Sequence, residues 1–157
     1  KDDARGRRVW ELYEALPPAN TLVHGDFHTG NVFLQNGEPI LIDMDRISRG
    51  HPIVEISDLY YFYVVLGEKD PSVVEKFMGF SYDTARQFFR LFLMHYLGTE
   101  DEERLRKVTE KASLLCYSRL IRKILKKRKL NETDNAQIEE YMQRTAALTD
   151  KLDSLDF

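Results

Sequence analysis

His24-Gly25-Asp26-Phe27-His28-Thr29-Gly30-Asn31 runs directly into Val32-Phe33-Leu34-Gln35-Asn36-Gly37-Glu38-Pro39-Ile40-Leu41-Ile42-Asp43-Met44-Asp45. The second stretch reads as two short β-rich runs joined at Asn36-Gly37, and Asn-Gly between apolar runs is the strongest short-range hairpin signal. A hairpin is therefore expected over residues 31–43, with a further short β run at 21–24. The loop between them carries Gly25 and Gly30.

On both sides of this segment the hydrophobic period changes. Upstream, Val9, Trp10, Leu12, Tyr13 and Leu16 recur near helical spacing over residues 2–16, and Pro17-Pro18 stop that helix. Downstream of Gly50-His51-Pro52 the pattern is helical to the end. Residues 53–66 are mostly apolar, as in a buried helix. Asp70-Pro71 opens another helix, and Ser81 opens the next, where Phe88, Phe89, Phe92 and Tyr96 recur before Gly98. Leu105, Val108, Ala112, Leu115 and Ile121 mark a long helix over 101–129. Ile138, Tyr141, Thr145, Leu148 and Leu152 mark a last one, capped by Asn131 or Thr133. The expected fold is mainly α with a small β-hairpin insert (α+β). It forms one domain over 1–157, with the β segment at 20–52 and a helical subdomain at 53–157.

Composition narrows the function classes. The chain has 157 residues, enough for one domain with its own core. With 23 Lys+Arg against 26 Asp+Glu the net charge is −3, which argues against a nucleic-acid or anionic-membrane binder. No apolar run approaches the roughly 18 residues of a membrane span, and the start KDDARGRR lacks a signal-peptide core. The single cysteine, Cys116, cannot pair within the chain, which favours a reducing, cytoplasmic setting. The first residue is Lys rather than Met, so these residues are expected to be part of a longer chain.

The polar residues that could carry chemistry crowd into the β segment. A loop carboxylate, an amide five positions later and a carboxylate beyond a returning strand can bring three oxygens to one point, as magnesium-assisted phosphoryl transfer requires. In that reading Asn31 and Asp43 hold Mg2+ against nucleotide phosphates, and Asp26 orients the acceptor hydroxyl and takes its proton. Asp45 is a second candidate metal ligand, on the face of Asp43 if the strand continues, or a solvated loop acid. His28 is a loop side chain near the acceptor.

The motifs His24-Gly25-Asp26 through Asn31, Leu41-Ile42-Asp43-Met44-Asp45 and Gly50-His51-Pro52 resemble those of the aminoglycoside phosphotransferase and choline kinase-like group, over roughly residues 20–60. The resemblance implies a protein kinase-like fold of which this chain is the C-terminal lobe. The HGDxxxxN loop then stands where protein kinases carry HRDxxxxN. It further implies Asp26 as catalytic base, Asn31 and Asp43 as metal ligands, and His24 as a structural prop. ATP or GTP would be the phosphate donor and a small-molecule alcohol the acceptor. The family often shows Gly-Asp-Pro with an aspartate three residues on that braces the catalytic loop; here His51 replaces the acid and Glu55 holds the bracing position. No GxGxxG appears, and the residues before His24 read as helix and proline stop, so the N-terminal nucleotide lobe of the same protein is expected to be missing from the chain.

Other readings compete. Asp26 in a glycine-flanked loop could simply cap a turn. A kinase-like lobe retained as a non-catalytic scaffold would explain the missing glycine loop. His24, Asp26 and His28 as H-x-D-x-H suggest a transition-metal hydrolase. Tyr60, Tyr61, Phe62 and Tyr63 read as core packing or as a wall for a cationic acceptor. The acids at 100–103 suit a helix start, and the basic run from Arg119 to Lys129 suits the solvated end of a helix.

Overall fold

The computed structural model describes residues 3–157. Six helices and four short strands follow in the order α1 (Asp3–Glu14), β1 (Leu22–Val23), β2 (Val32–Gln35), β3 (Glu38–Leu41), β4 (Ser48–Arg49), α2 (Pro52–Tyr63), α3 (Pro71–Met78), α4 (Tyr82–Leu97), α5 (Glu102–Leu125) and α6 (Glu132–Thr149). The fold is mainly α with a small β portion. The first expected helix was to begin at residue 2, which lies outside the described residues.

The hairpin turns where the sequence indicates. Asn36 and Gly37 both have positive φ, 55° and 85°, the pair of left-handed residues that a two-residue type I′ turn demands. β2 and β3 pair antiparallel with Val32 opposite Leu41 and Phe33 opposite Ile40. β1 pairs with β4, a two-residue strand that periodicity cannot reveal at that length. The backbone N–H of Ile42 donates to the Asn31 carbonyl at 3.0 Å, so the two ends of the hairpin, each carrying a polar candidate, stay in step.

The helices start and stop at chemically explicable points. Asp70, Ser81 and Asp101 cap α3, α4 and α5 by accepting backbone N–H bonds, and Asn131 and Asp134 form a reciprocal capping box on α6. His51 does the same for α2, its Nδ1 accepting from Ile53 N–H, while its Nε2 lies 3.1 Å from Asp156 Oδ1. One expectation is corrected: the long helix ends at Leu125, not near residue 129. Beyond Ile124 no residue of that stretch is buried until Asn131 caps the next helix, so nothing apolar extends the helix, and Lys127 instead turns to Asp134 at 2.5 Å.

Ile53, Ile56, Leu59 and Tyr63 of α2 are sealed against α4 and α5, together with Val74, Ala85, Leu93, Val108 and Leu114. Fully burying an aliphatic side chain of this kind contributes roughly 1.5–3 kcal/mol. Six consecutive α5 residues, Ala112 to Tyr117, are buried because α2 packs on one side of the helix and α6 on the other. Among the described side chains of α1 only Leu12 is sealed; Trp10 and Tyr13 face outward and lie against each other at 5.9 Å. No helix among the described residues is long and apolar enough to cross a membrane.

Candidate active site

The loop after β1 is fastened to the first turns of α2 by one carboxylate. Glu55 Oε2 accepts the backbone N–H of His24 and, at 3.1 Å, that of Gly25, and Oε1 accepts that of Phe27 at 3.3 Å. Three amides that would otherwise lack partners thus converge on one side chain, and the longer Glu reaches all of them. Tyr63, the last residue of α2, accepts the Thr29 N–H on its hydroxyl at 2.9 Å. The Phe27 ring packs 6.1 Å from that of Phe92 on α4.

His24 is buried, and its Nε2 lies 2.9 Å from the Ile42 carbonyl. A carbonyl only accepts, so Nε2 carries the proton and ties the loop to the end of the hairpin; Nδ1 is buried without a partner. Gly25, at φ +80°, is where the loop meets the turn that follows the hairpin. A Cβ there would come within 3.1 Å of both the Cβ and the carbonyl oxygen of Arg46.

Asp26 follows, with its side chain about a quarter exposed and its Oδ2 3.8 Å from Arg46 Nη1. Asn31 is buried and donates Nδ2–H to the Asp26 carbonyl at 2.9 Å, which fixes the amide and leaves its Oδ1 as the oxygen donor. Asp43 is exposed at the end of the hairpin, in the left-handed region (φ 60°, ψ 52°), and its carboxylate makes no bond to its own turn. A non-glycine residue held there stores strain of the kind that clusters at functional sites, and Asp is among the few that tolerate it. Two hard oxygens, the Asn31 amide and the Asp43 carboxylate, therefore stand at the paired ends of one hairpin. That donor set fits magnesium, which takes few protein oxygens and fills its octahedron with phosphate and water.

Asp45 lies elsewhere than strand alternation would put it. The strand stops at Leu41, and Asp45 enters a 3-10 turn, Met44–Arg46, as an exposed residue. The His24, Asp26 and His28 triplet does not gather as a transition-metal centre. His28 accepts the Gly30 N–H on Nδ1, and its ring packs against the stacked pair of Phe62 and Phe77 at 5.0 and 5.2 Å, whereas the His24 ring is turned to the Ile42 carbonyl. Among the described residues no group of three or more His, Cys, Asp or Glu side chains could hold a metal.

Behind Asp26 opens a recess of about 280 Å³ between the loop, α2 and α5. Sequence reading overlooked most of its polar lining. Asp58 is mostly buried and pairs through Oδ1 with Arg119 of α5 at 2.6 Å. Burial pushes its carboxyl up, Arg119 pulls it down, and the nearby Glu55 and Asp26 charges push it up further. Asp58 sits three residues after Glu55, a spacing that signals one helical face; nothing in sequence links it to a residue 61 positions on. Of the aromatic run, Tyr60 and Tyr63 pack inward, whereas Tyr61 and Phe62 reach the recess.

Among the curated proteins and among the solved structures, none matches the chain. The sequence profile of the phosphotransferase enzyme family (APH) matches residues 1–92, which takes in the loop, the hairpin and helices α1 to α3 with most of α4. That match covers more than half of the chain, so the chain belongs to the phosphotransferase enzyme family.

Proposed function

We propose that this chain is the large, C-terminal lobe of a protein kinase-like small-molecule kinase that moves the γ-phosphoryl group of ATP or GTP to an alcohol. The observation that carries the reading is the juxtaposition of a partly exposed Asp26, at the mouth of a recess, with Asn31 bonded to its carbonyl and Asp43 at the partnered end of the same hairpin. Residues 20–52 form the catalytic and metal-binding segment in this reading, 53–157 the supporting helical subdomain. The nucleotide lies between this lobe and a second lobe of the same protein.

Asp26 accepts a hydrogen bond from the acceptor hydroxyl and holds its oxygen in line with the γ-phosphorus. As the new oxygen–phosphorus bond forms and the bridging bond to the nucleoside diphosphate breaks, the hydroxyl proton passes to the Asp26 carboxylate. Asn31 and Asp43 would hold magnesium, which would neutralise the phosphate charge. Glu55 keeps the loop amides fixed, so that Asp26 does not wander. His24 props the loop against the hairpin, and His28, packed on Phe62, is a contact for the acceptor. Burial pushes the Cys116 thiol up, in keeping with a packed rather than reactive residue and a cytoplasmic protein.

The test is ATP and GTP consumption by the full-length protein, assayed over a panel of alcohols. Asp26→Asn should lower transfer by about 10²–10⁴-fold, the typical contribution of a positioned general base. Undiminished turnover would remove Asp26 from the reaction, and no transfer to any alcohol would favour a non-catalytic scaffold.

A further inference from the structure

The recess beside Asp26 has a charge balance and a set of unused polar groups that together describe what it takes up. Its volume, about 280 Å³, lies just below the span of drug-sized ligand pockets, roughly 300–1,000 Å³. It therefore suits a small metabolite rather than a multi-ring one.

Two buried polar atoms at this recess have no partner. Ser57 is 1% exposed and its Oγ is unbonded, and Asp58 Oδ2 is buried and unbonded while Oδ1 faces Arg119. Leaving such a group unsatisfied costs about 1–3 kcal/mol, so a lining that keeps two of them is suited to a ligand that supplies hydrogen bonds.

The charges are unequal. Asp26 and Asp58 face three cations, Arg46, Arg119 and Lys123. Arg119 is matched by Asp58 at 2.6 Å, and Arg46 stands 3.8 Å from Asp26. Lys123 Nζ sits 5.9 Å over the Tyr61 ring, and no carboxylate among the described residues lies within ion-pair distance of it. The Asp58 charge is taken up by Arg119, so that residue brings no surplus negative charge. Glu55 lies close by but outside the lining, its carboxylate taken up by three loop amides. A cationic acceptor would therefore meet a lining with one cation more than it has carboxylates, whereas an anionic one would balance it.

We propose that the acceptor is a small alcohol that also carries an anionic group, a carboxylate or a phosphate, held by Lys123 with Arg119, while Asp58 Oδ2 and Ser57 Oγ bond its other hydroxyls. This rests on the phosphotransferase reading above for the word acceptor, and on the recess alone for the charge. Tyr61 and Leu120 supply the apolar part of the wall against which the carbon chain lies.

The test uses four three-carbon probes that differ in charge: glycerate, glycerol 3-phosphate, glycerol and serinol (2-amino-1,3-propanediol). Their binding to the full-length protein is measured by calorimetry. At least one anionic probe should bind tenfold or more tightly than serinol, and the tighter of the two tells carboxylate from phosphate. Lys123→Glu, at an exposed position where folding is not at stake, should weaken that probe tenfold or more and bring serinol level with it; Lys123→Arg should keep the wild-type order. Serinol binding as tightly as the anions, no binding of either anion, or an order untouched by Lys123→Glu would overturn the proposal. The same probes in the ATP assay separate the two readings. Anion binding without transfer to any alcohol would leave the recess assignment standing and fell the kinase; transfer to serinol in preference to the anions would do the reverse.

Discussion

In α2, Ile53, Ile56, Leu59 and Tyr63 keep 0–1% of their surface in water, whereas along β2 and β3 Phe33, Leu34, Ile40 and Leu41 keep 39–77%. The helical body is held by apolar burial in a shared core. The β segment buries little and owes its position to a few polar ties: Glu55 to three loop amides, Tyr63 to Thr29, and His24 to Ile42. Hydrophobic contact is non-directional, and hydrogen bonds fix angles as well as distances. The thin region, not the thick one, carries the candidate chemistry because loop carboxylates need orientation more than burial. Substitutions in the two regions should therefore fail in different ways.

The sharpest separation is expected at Asp43. Asp43→Asn retains a residue that tolerates the left-handed conformation and removes the charge. Transfer should fall by more than the roughly 10–100-fold that loss of an outer hydrogen-bond partner costs a metal site, with the melting temperature nearly unchanged. Magnesium titration of the rate, alongside a thermal melt, reads both; retained rate would remove Asp43 from the metal role.

Glu55→Ala strikes the tie itself. It strands the His24, Gly25 and Phe27 amides and should cost about 2 kcal/mol, tempered by water that reaches the partly open loop. Hydrogen exchange at those amides should quicken while the α5 amides keep their protection. Equal loosening of both would show that the loop and the body are one cooperative unit.

The mildest effect belongs to the body. Asn131→Ala removes the α6 cap and should cost about 1 kcal/mol, a drop of roughly 2–4 °C in melting temperature, with transfer untouched. In the same capping box the Lys127 ammonium, and then the Asn131 N–H, hold the Asp134 carboxyl below the usual carboxylate range. The folded pKa is thus lower than the unfolded one. The stability contributed is present at neutral pH and lost as pH falls below about 4. Lys127→Met should flatten that acid limb in pH-dependent melts.

What was legible in the sequence was what neighbours decide. Asn36-Gly37 specifies its own turn through two positive φ angles, and Asp70, Ser81 and Asn131 announce helices by capping amides two or three residues away. The loop from His24 to Asn31 was readable for the same reason, its polar residues lying within one short stretch. Glu55 could be named as the brace only through resemblance, since nothing local says which amides it will meet. The Asp58 and Arg119 pair, and with it the far wall of the recess, depends on how α2 lies against α5, which periodicity does not encode. The basic run at 126–129 misled because charge patterning alone does not tell a solvated helix end from a turn; the missing apolar stripe beyond Ile124 decides it.

Gly25 has a consequence for how such an enzyme can change. Backbone lies against backbone there, so the spacing between the proton acceptor and the hairpin turn is set by a missing methyl group, not by any contact a mutation could tune. On α2 Glu55 and Tyr63 are bound to the loop, but side chains that only line the recess, such as Tyr61 and Leu120, can change without moving that contact. Under the proposed reading, a lineage can alter what the recess admits while the loop keeps its shape.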